Sequence, residues 1–296
     1  MSVLTKVGIA TACGLAARLL LLRLDYRQYP SLPQGVLVHG TLGLVAAALG
    51  AMAMPALAAQ EYAAVTFLAL AATQFRDVRA MERNSLQNAE EGELLPRGNA
   101  YIEDIARRFE ARNYVAMVTA LAVSCMLHSP LHHAWALGVG VLVMALLAWA
   151  TFPQKLRRIA TVCTAEITFD GPLLMVNGVV MCNVGLGASR ERWQKQGVAC
   201  VLHPKDDNAR AMLAQPGQRA AIVHDIGVQL GTGCSEDEGE LRAMARIHAT
   251  QGDVCVIALV AEPDPEALLW AVADCPVLES AARAPLGSTA GRMAKD

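Results

Sequence analysis

Aromatic residues make up only 5% of this 296-residue chain, and charged residues only 18%. So little charge excludes an intrinsically disordered tail protein, and no glycine period points to a collagen-like rod. Eight cysteines (13, 125, 163, 182, 200, 234, 255 and 275) form no C-x-x-C pair. That leaves neither a zinc ribbon nor a disulfide framework, and reduced, buried thiols are expected. A formal charge of −2 gives no general attraction to nucleic acid. Internal repeats and low-complexity segments are missing as well. What remains is a 54% apolar composition that must be mainly aliphatic. It points to a membrane protein joined to a soluble part.

Charge is unevenly distributed. Of the 21 Asp, Glu, Lys and Arg residues in 1–152, 15 lie in 76–112. Segment 36–60 carries none; at ~1.5 Å per residue it outlasts a ~30 Å hydrocarbon core. With 3–22, 62–75, 113–127 and 134–152 it gives an expected bundle of five transmembrane helices, the last flanked by Trp135 and Trp149. Arg18 interrupts the first apolar run and is expected to snorkel toward Arg23. A signal peptide is the alternative there, but no Ala-x-Ala cleavage site follows. Gly40, Gly43, Ala47 and Gly50 offer a small-residue packing face, and Pro55 is expected to end that helix. Arginines flank 23–27, fill 76–112 and follow the last run as Arg157 and Arg158, whereas 55–61 and 128–133 hold no Lys or Arg. The positive-inside rule then places the N-terminus outside and the C-terminal half in the cytoplasm.

The expected domains are a transmembrane domain over 1–158 with a cytoplasmic helical loop at 76–112, a small cytoplasmic mixed α/β domain over 159–282, and a flexible tail over 283–296. Asp170-Gly171 and Asn177-Gly178 between β-prone runs predict a three-stranded meander. Ser189 is placed to cap a helix through Gln196. A strand over 198–203, helices from Pro204 to Ala214, over 216–230 and over 239–250, a strand over 254–260 and a helix over 265–273 follow.

Several polar groups are candidate sites. His224-Asp225-Ile226-Gly227 matches the signature of metal-dependent HD phosphohydrolases, with His203 upstream and Asp237 and Asp253 downstream. That four-residue match is short, and an ordinary polar pair on a helix competes with it. Gly185-x-Gly187-x-Ser189 lacks the lysine of a phosphate loop. His128, His132 and His133 are broken by Pro130, and Lys205-Asp206-Asp207-Asn208 with Arg210 is a dense polar cluster that a solvated helix start also explains. Glu61 by itself does not make a transporter pathway.

In the loop at 76–112, Asn99 is placed to cap a helix on which Ile102, Ile105 and Phe109 share one face, with Glu103–Arg107 and Asp104–Arg108 at i,i+4. Tyr101, Ile102, Glu103, Ile105 and Phe109 are the expected interaction residues, in a helix that docks on the membrane surface or on the soluble domain.

Tyr101–Ala106 resembles the signature hexapeptide of the YIEGIA family of bacterial membrane proteins, with Asp104 in place of the family's glycine. The resemblance extends to Asp25–Pro30, Gln74–Arg79, Pro204–Arg210 and Pro276–Ser280. It implies an association with endospore-forming bacteria and spore-envelope assembly, and no catalytic residues. The expected function is an integral membrane scaffold or assembly protein. A membrane-bound phosphohydrolase using His224 and Asp225 is the runner-up, and a channel or transporter the third reading. The expected partners are the lipid bilayer and a cytoplasmic protein, with self-association left open. No cofactor, metal or nucleic acid is expected.

Overall fold

The computed structural model describes residues 1–22, 32–90, 95–129, 134–152, 154–231 and 242–293. The arginines of 23–27, the block Asp25–Pro30, Pro130, His132, His133 and Asp237 lie outside the described residues. The chain divides into two units, Met1–Ser85 with Ile105–Phe152, and Leu86–Asp104 with Pro153–Asp296.

The first unit is helical: α1 (Val3–Leu22), α2 (Leu32–Ala58), α3 (Tyr62–Thr73), α4 (Phe75–Ala89) up to Ser85, α5 (Asn99–His128) from Ile105, and α6 (Ala134–Thr151). Small residues let α1, α2 and α5 approach closely. A Cβ on Gly14 would meet the Ala116 carbonyl oxygen at 2.6 Å and the Ala47 methyl at 2.7 Å, and one on Gly50 would strike the Met117 carbonyl. Ala10, Ala47, Ala51, Ala120 and Val123 form the core between them.

Arg18 does not snorkel. It is fully buried, donating from Nε to Asn113 Oδ1 at 3.2 Å and lying 2.8 Å from His39 Nδ1. Gly43 provides the space, since a Cβ there would collide with the Arg18 side chain. Pro55 does not end α2 either, which continues to Ala58. Proline removes the N–H that would reach the carbonyl four residues back. That carbonyl, of Ala51, accepts instead from Ser124 Oγ at 2.8 Å.

The expected five-span bundle is corrected by this structure. Among the described residues, Val3–Leu22 and Gly35–Ala58 are the two helices long and apolar enough to cross a membrane. α3 has only 12 residues, and Trp135–Thr151 is a shorter apolar helix. Segment 113–127 is not a separate element but the later half of the 30-residue α5, whose earlier turns carry the charged residues from Glu103 to Arg112. A change of composition marks no end of a helix; proline and glycine do, and 99–128 has neither.

In the second unit, β1 (Ala160–Ala165), β5 (Gly197–Pro204), β7 (Val254–Leu259) and β6 (Ala243–Ile247) form a four-stranded sheet in the order β1-β5-β7-β6. β2 (Ile167–Asp170), β3 (Leu173–Val176) and β4 (Val179–Asn183) form the expected meander. Asn177, Gly178 and Gly171 take positive φ in its turns. Leu174, Val176 and Met181 of the meander share a core with Trp193, Val201, Cys255 and Ile257. The one-turn α7 (Leu156–Ile159), α8 (Gly187–Gln196), α9 (Asp207–Leu213), α10 (Pro216–Leu230) and α11 (Pro265–Asp274) complete the main elements.

The described strand pairings are all antiparallel. Of the α/β and α+β arrangements that alternating strands and helices allow here, the domain takes the second, without the right-handed crossovers of a parallel sheet. Two local expectations also change. Residues 243–247 are strand β6, not helix, because they pair with β7 from Ala243–Ala258 to Ile247–Val254. Leu186, not Ser189, stands at the cap of α8. The segment after Arg283 carries a 3-10 turn at Pro285–Gly287 and α12 (Thr289–Met293).

Candidate functional site

Three separated segments of the second unit meet around α10: 95–104 with the first turn of α5, α10 itself, and 276–279. α10 starts with Pro216 at its first position and ends before Gly231, whose φ is +70°. Two of its glycines accommodate the segment leading into α5. A Cβ on Gly217 would lie 2.6 Å from the Ala100 methyl, and one on Gly227 would lie 2.5 Å from Leu95 Cδ1. The glycine after His224-Asp225-Ile226 thus has a packing role.

Both members of the His-Asp pair are buried and turned to that segment. Tyr101 Oη donates to Asp225 Oδ1 at 2.9 Å, and His224 Nδ1 donates to the Leu95 carbonyl at 2.6 Å. The imidazole and the Tyr101 ring meet edge to face, with centroids 6.0 Å apart. One turn into α5, Asp104 Oδ1 accepts from the Glu279 N–H at 2.9 Å. Gln218, fully buried, donates from Nε2 to the Pro276 carbonyl at 2.9 Å and accepts at Oε1 from the Leu278 N–H at 2.8 Å. Side chains here take the place of a strand partner for irregular backbone that would otherwise lose bonds to water.

Buried hydrogen bonds of this kind position segments. His203 and Asp253, the other partners considered for a metal site, pair with each other at 2.9 Å between Nδ1 and Oδ2. Among the described residues, no group of three or more His, Cys, Asp or Glu side chains is placed to hold a metal ion.

The expected interaction residues divide between the units. Tyr101 and Ile102 are buried in the second. Ile105 and Phe109 are buried in the first, where the Arg18 guanidinium lies 5.5 Å from the Phe109 ring centroid and His39 meets that ring edge to face. Glu103 is half-buried. Sequence reading missed Gln218, Asn113 and His39. His39 interrupts an apolar run, whereas Gln218 and Asn113 stand beside Arg219 and Arg112 and give no such signal.

The profile of a family described as YIEGIA protein matches residues 6–288, nearly the whole chain. The chain belongs to the YIEGIA family. A Bacillus subtilis (strain 168) relative, described as "Uncharacterized protein YphB", is 41% identical over 274 residues, covering 92% of this chain and 91% of the relative. No solved structure matches. In this YIEGIA protein the signature peptide reads Tyr-Ile-Glu-Asp-Ile-Ala, and Asp104 makes a bond to Glu279 that a glycine side chain could not.

Proposed function

We propose that this YIEGIA protein is a membrane-anchored assembly component acting in sporulation, and that it works as a scaffold without turnover. The observation carrying the scaffold reading is that His224 and Asp225 hold Leu95 and Tyr101 in place. The most enzyme-like motif of the sequence thus has a structural use. The family resemblance supports the link to sporulation.

Anchoring is supported by the two helices long and apolar enough to cross a membrane, Val3–Leu22 and Gly35–Ala58. Their surfaces are oily: Leu4 is 82% exposed, Leu37 72% and Leu20 58%. Such a face suits lipid and is foreign to the core of a soluble protein. The buried Arg18, bonded to α2 and α5 side chains, favours a retained helix over a cleaved leader. Two crossings put the chain start and the segment that follows Ala58 on one side. That side carries Lys6, Arg76, Arg79 and Arg83, against Arg23 and Arg27 between the helices. The positive-inside rule favours the cytoplasm for it. The outside N-terminus belongs with the odd number of crossings in the five-span arrangement.

The test is gene replacement in an endospore-forming host. Deletion should lower the yield of heat-resistant spores, and His224→Gln, whose amide can still donate to the Leu95 carbonyl, should restore it. A deletion strain that sporulates fully, or a His224→Gln strain as defective as the deletion, would contradict the scaffold reading.

A further inference from the structure

The polar cluster at Asp206–Arg210 borders a cavity of about 810 Å³ in the second unit, and its walls come from three distant parts of the sequence. α9 contributes Asp207 and Arg210, the turn between β6 and β7 contributes His248 and Thr250, and the C-terminal segment contributes Leu286 and Arg292. The volume falls within the ~300–1,000 Å³ range of small-molecule sites.

Local structure holds each wall. Asp206 caps α9, accepting from the Ala209 N–H at 2.7 Å. Gly252 has φ +75°, and a Cβ there would lie 2.6 Å from Arg210 Cγ; a bare backbone at that turn makes room for the arginine. His248 Nδ1 accepts from the Gln251 N–H at 3.2 Å, which leaves the proton of the neutral ring on Nε2 as a donor. The Leu286 N–H donates to Asn208 Oδ1 at 3.0 Å, fixing the C-terminal wall to α9.

The chemistry of the lining is biased toward anions. Arg210 and Arg292 bring two guanidinium forks, and His248 adds a donor at Nε2, its Nδ1 accepting from the Gln251 N–H and lying 3.2 Å from Thr250 Oγ1. Asp207, the one acid among the described lining residues, lies 3.5 Å from Arg210. It offsets part of that charge, and the described lining keeps more positive than negative side chains. Ile247, Ala211 and Leu286 supply an apolar wall beside these donors. We infer that this cavity binds a phosphate group, either free or carried on a small organic molecule, through Arg210, Arg292 and His248. A guanidinium fork matches two phosphate oxygens at once. The volume and the apolar wall leave room for an organic body beside the phosphate.

The experiment is calorimetric titration of the full chain in detergent, at fixed ionic strength, with sodium phosphate, adenosine 5′-monophosphate and adenosine. Saturable binding of phosphate or of the monophosphate, with none of adenosine, is expected. Arg210→Gln and Arg292→Gln should each weaken it by about tenfold or more. A tighter monophosphate identifies an ester as the ligand, and equal or tighter phosphate identifies the free ion. Arg292 lies on the exposed terminal helix α12, so its variant keeps the test valid if Arg210→Gln misfolds. No saturable binding, adenosine binding as tight as the monophosphate, or affinity unchanged in Arg292→Gln and in a folded Arg210→Gln would overturn the assignment.

Discussion

Tyr101 and Asp225, 124 positions apart, are joined by a 2.9 Å hydrogen bond between two buried side chains. Tyr101→Phe removes the donor and leaves a buried carboxylate oxygen short of a partner. A loss of about 1.5–3 kcal/mol is expected, as for hydrogen bonds to charged groups. Denaturant unfolding of the full chain in detergent, followed by a probe in the second unit, measures it. Unchanged stability would show that the bond has no structural weight.

Arg18 and Asn113 should show coupled effects. Asn113→Ala leaves the buried guanidinium without the acceptor that lies 3.2 Å from its Nε, at an expected cost of about 1.5–3 kcal/mol. In an Arg18→Leu background the same change should cost less. The coupling should fall within the ~0.5–3 kcal/mol found for residues in contact. Additive effects would mean that the two side chains act independently.

Ser124 stands in for the hydrogen bond that Pro55 cannot make to Ala51. Ser124→Ala should destabilise the helical unit by about 1–3 kcal/mol through a buried carbonyl left without a donor. Pro55→Ala restores a backbone N–H. In that background Ser124→Ala should cost measurably less, and an equal cost in both backgrounds would contradict the substitution of one donor for the other.

Thiol chemistry should separate exposed from buried cysteines. Burial, then the charge of Asp253, raises the Cys255 thiol to about 11, and burial pushes Cys200 up as well. At pH 9, Cys163, which is exposed, should be alkylated rapidly while Cys200 and Cys255 stay protected until denaturant is added. Because the unfolded thiols ionise first, Cys255 removes stability as pH rises from the ordinary thiol range toward about 11. Rapid alkylation of Cys255 in the folded chain would contradict its burial.

Turn chemistry made the meander legible, because Asp170-Gly171 and Asn177-Gly178 are local signals that need no tertiary partner. α10 was legible for the same reason, with Pro216 at its start and Gly231 beyond its end. β6 was not, since Ala243-Met244-Ala245 are good helix formers and become a strand only by pairing with β7. The continuity of α5 was hidden by its change from charged to apolar, a signal about surroundings and not about backbone. At the candidate site, the signature peptide and the His-Asp pair were each visible. Their meeting was not, because 124 positions separate Tyr101 from Asp225.

Membrane anchoring by a retained N-terminal helix is tested most directly by the intact mass of the protein extracted from carbonate-washed membranes of its host. The buried Arg18 and the exposed apolar surfaces of α1 and α2 predict a washed-membrane protein whose mass includes Val3–Leu22. A protein released into the soluble fraction, or a mature chain lacking that helix, would contradict it.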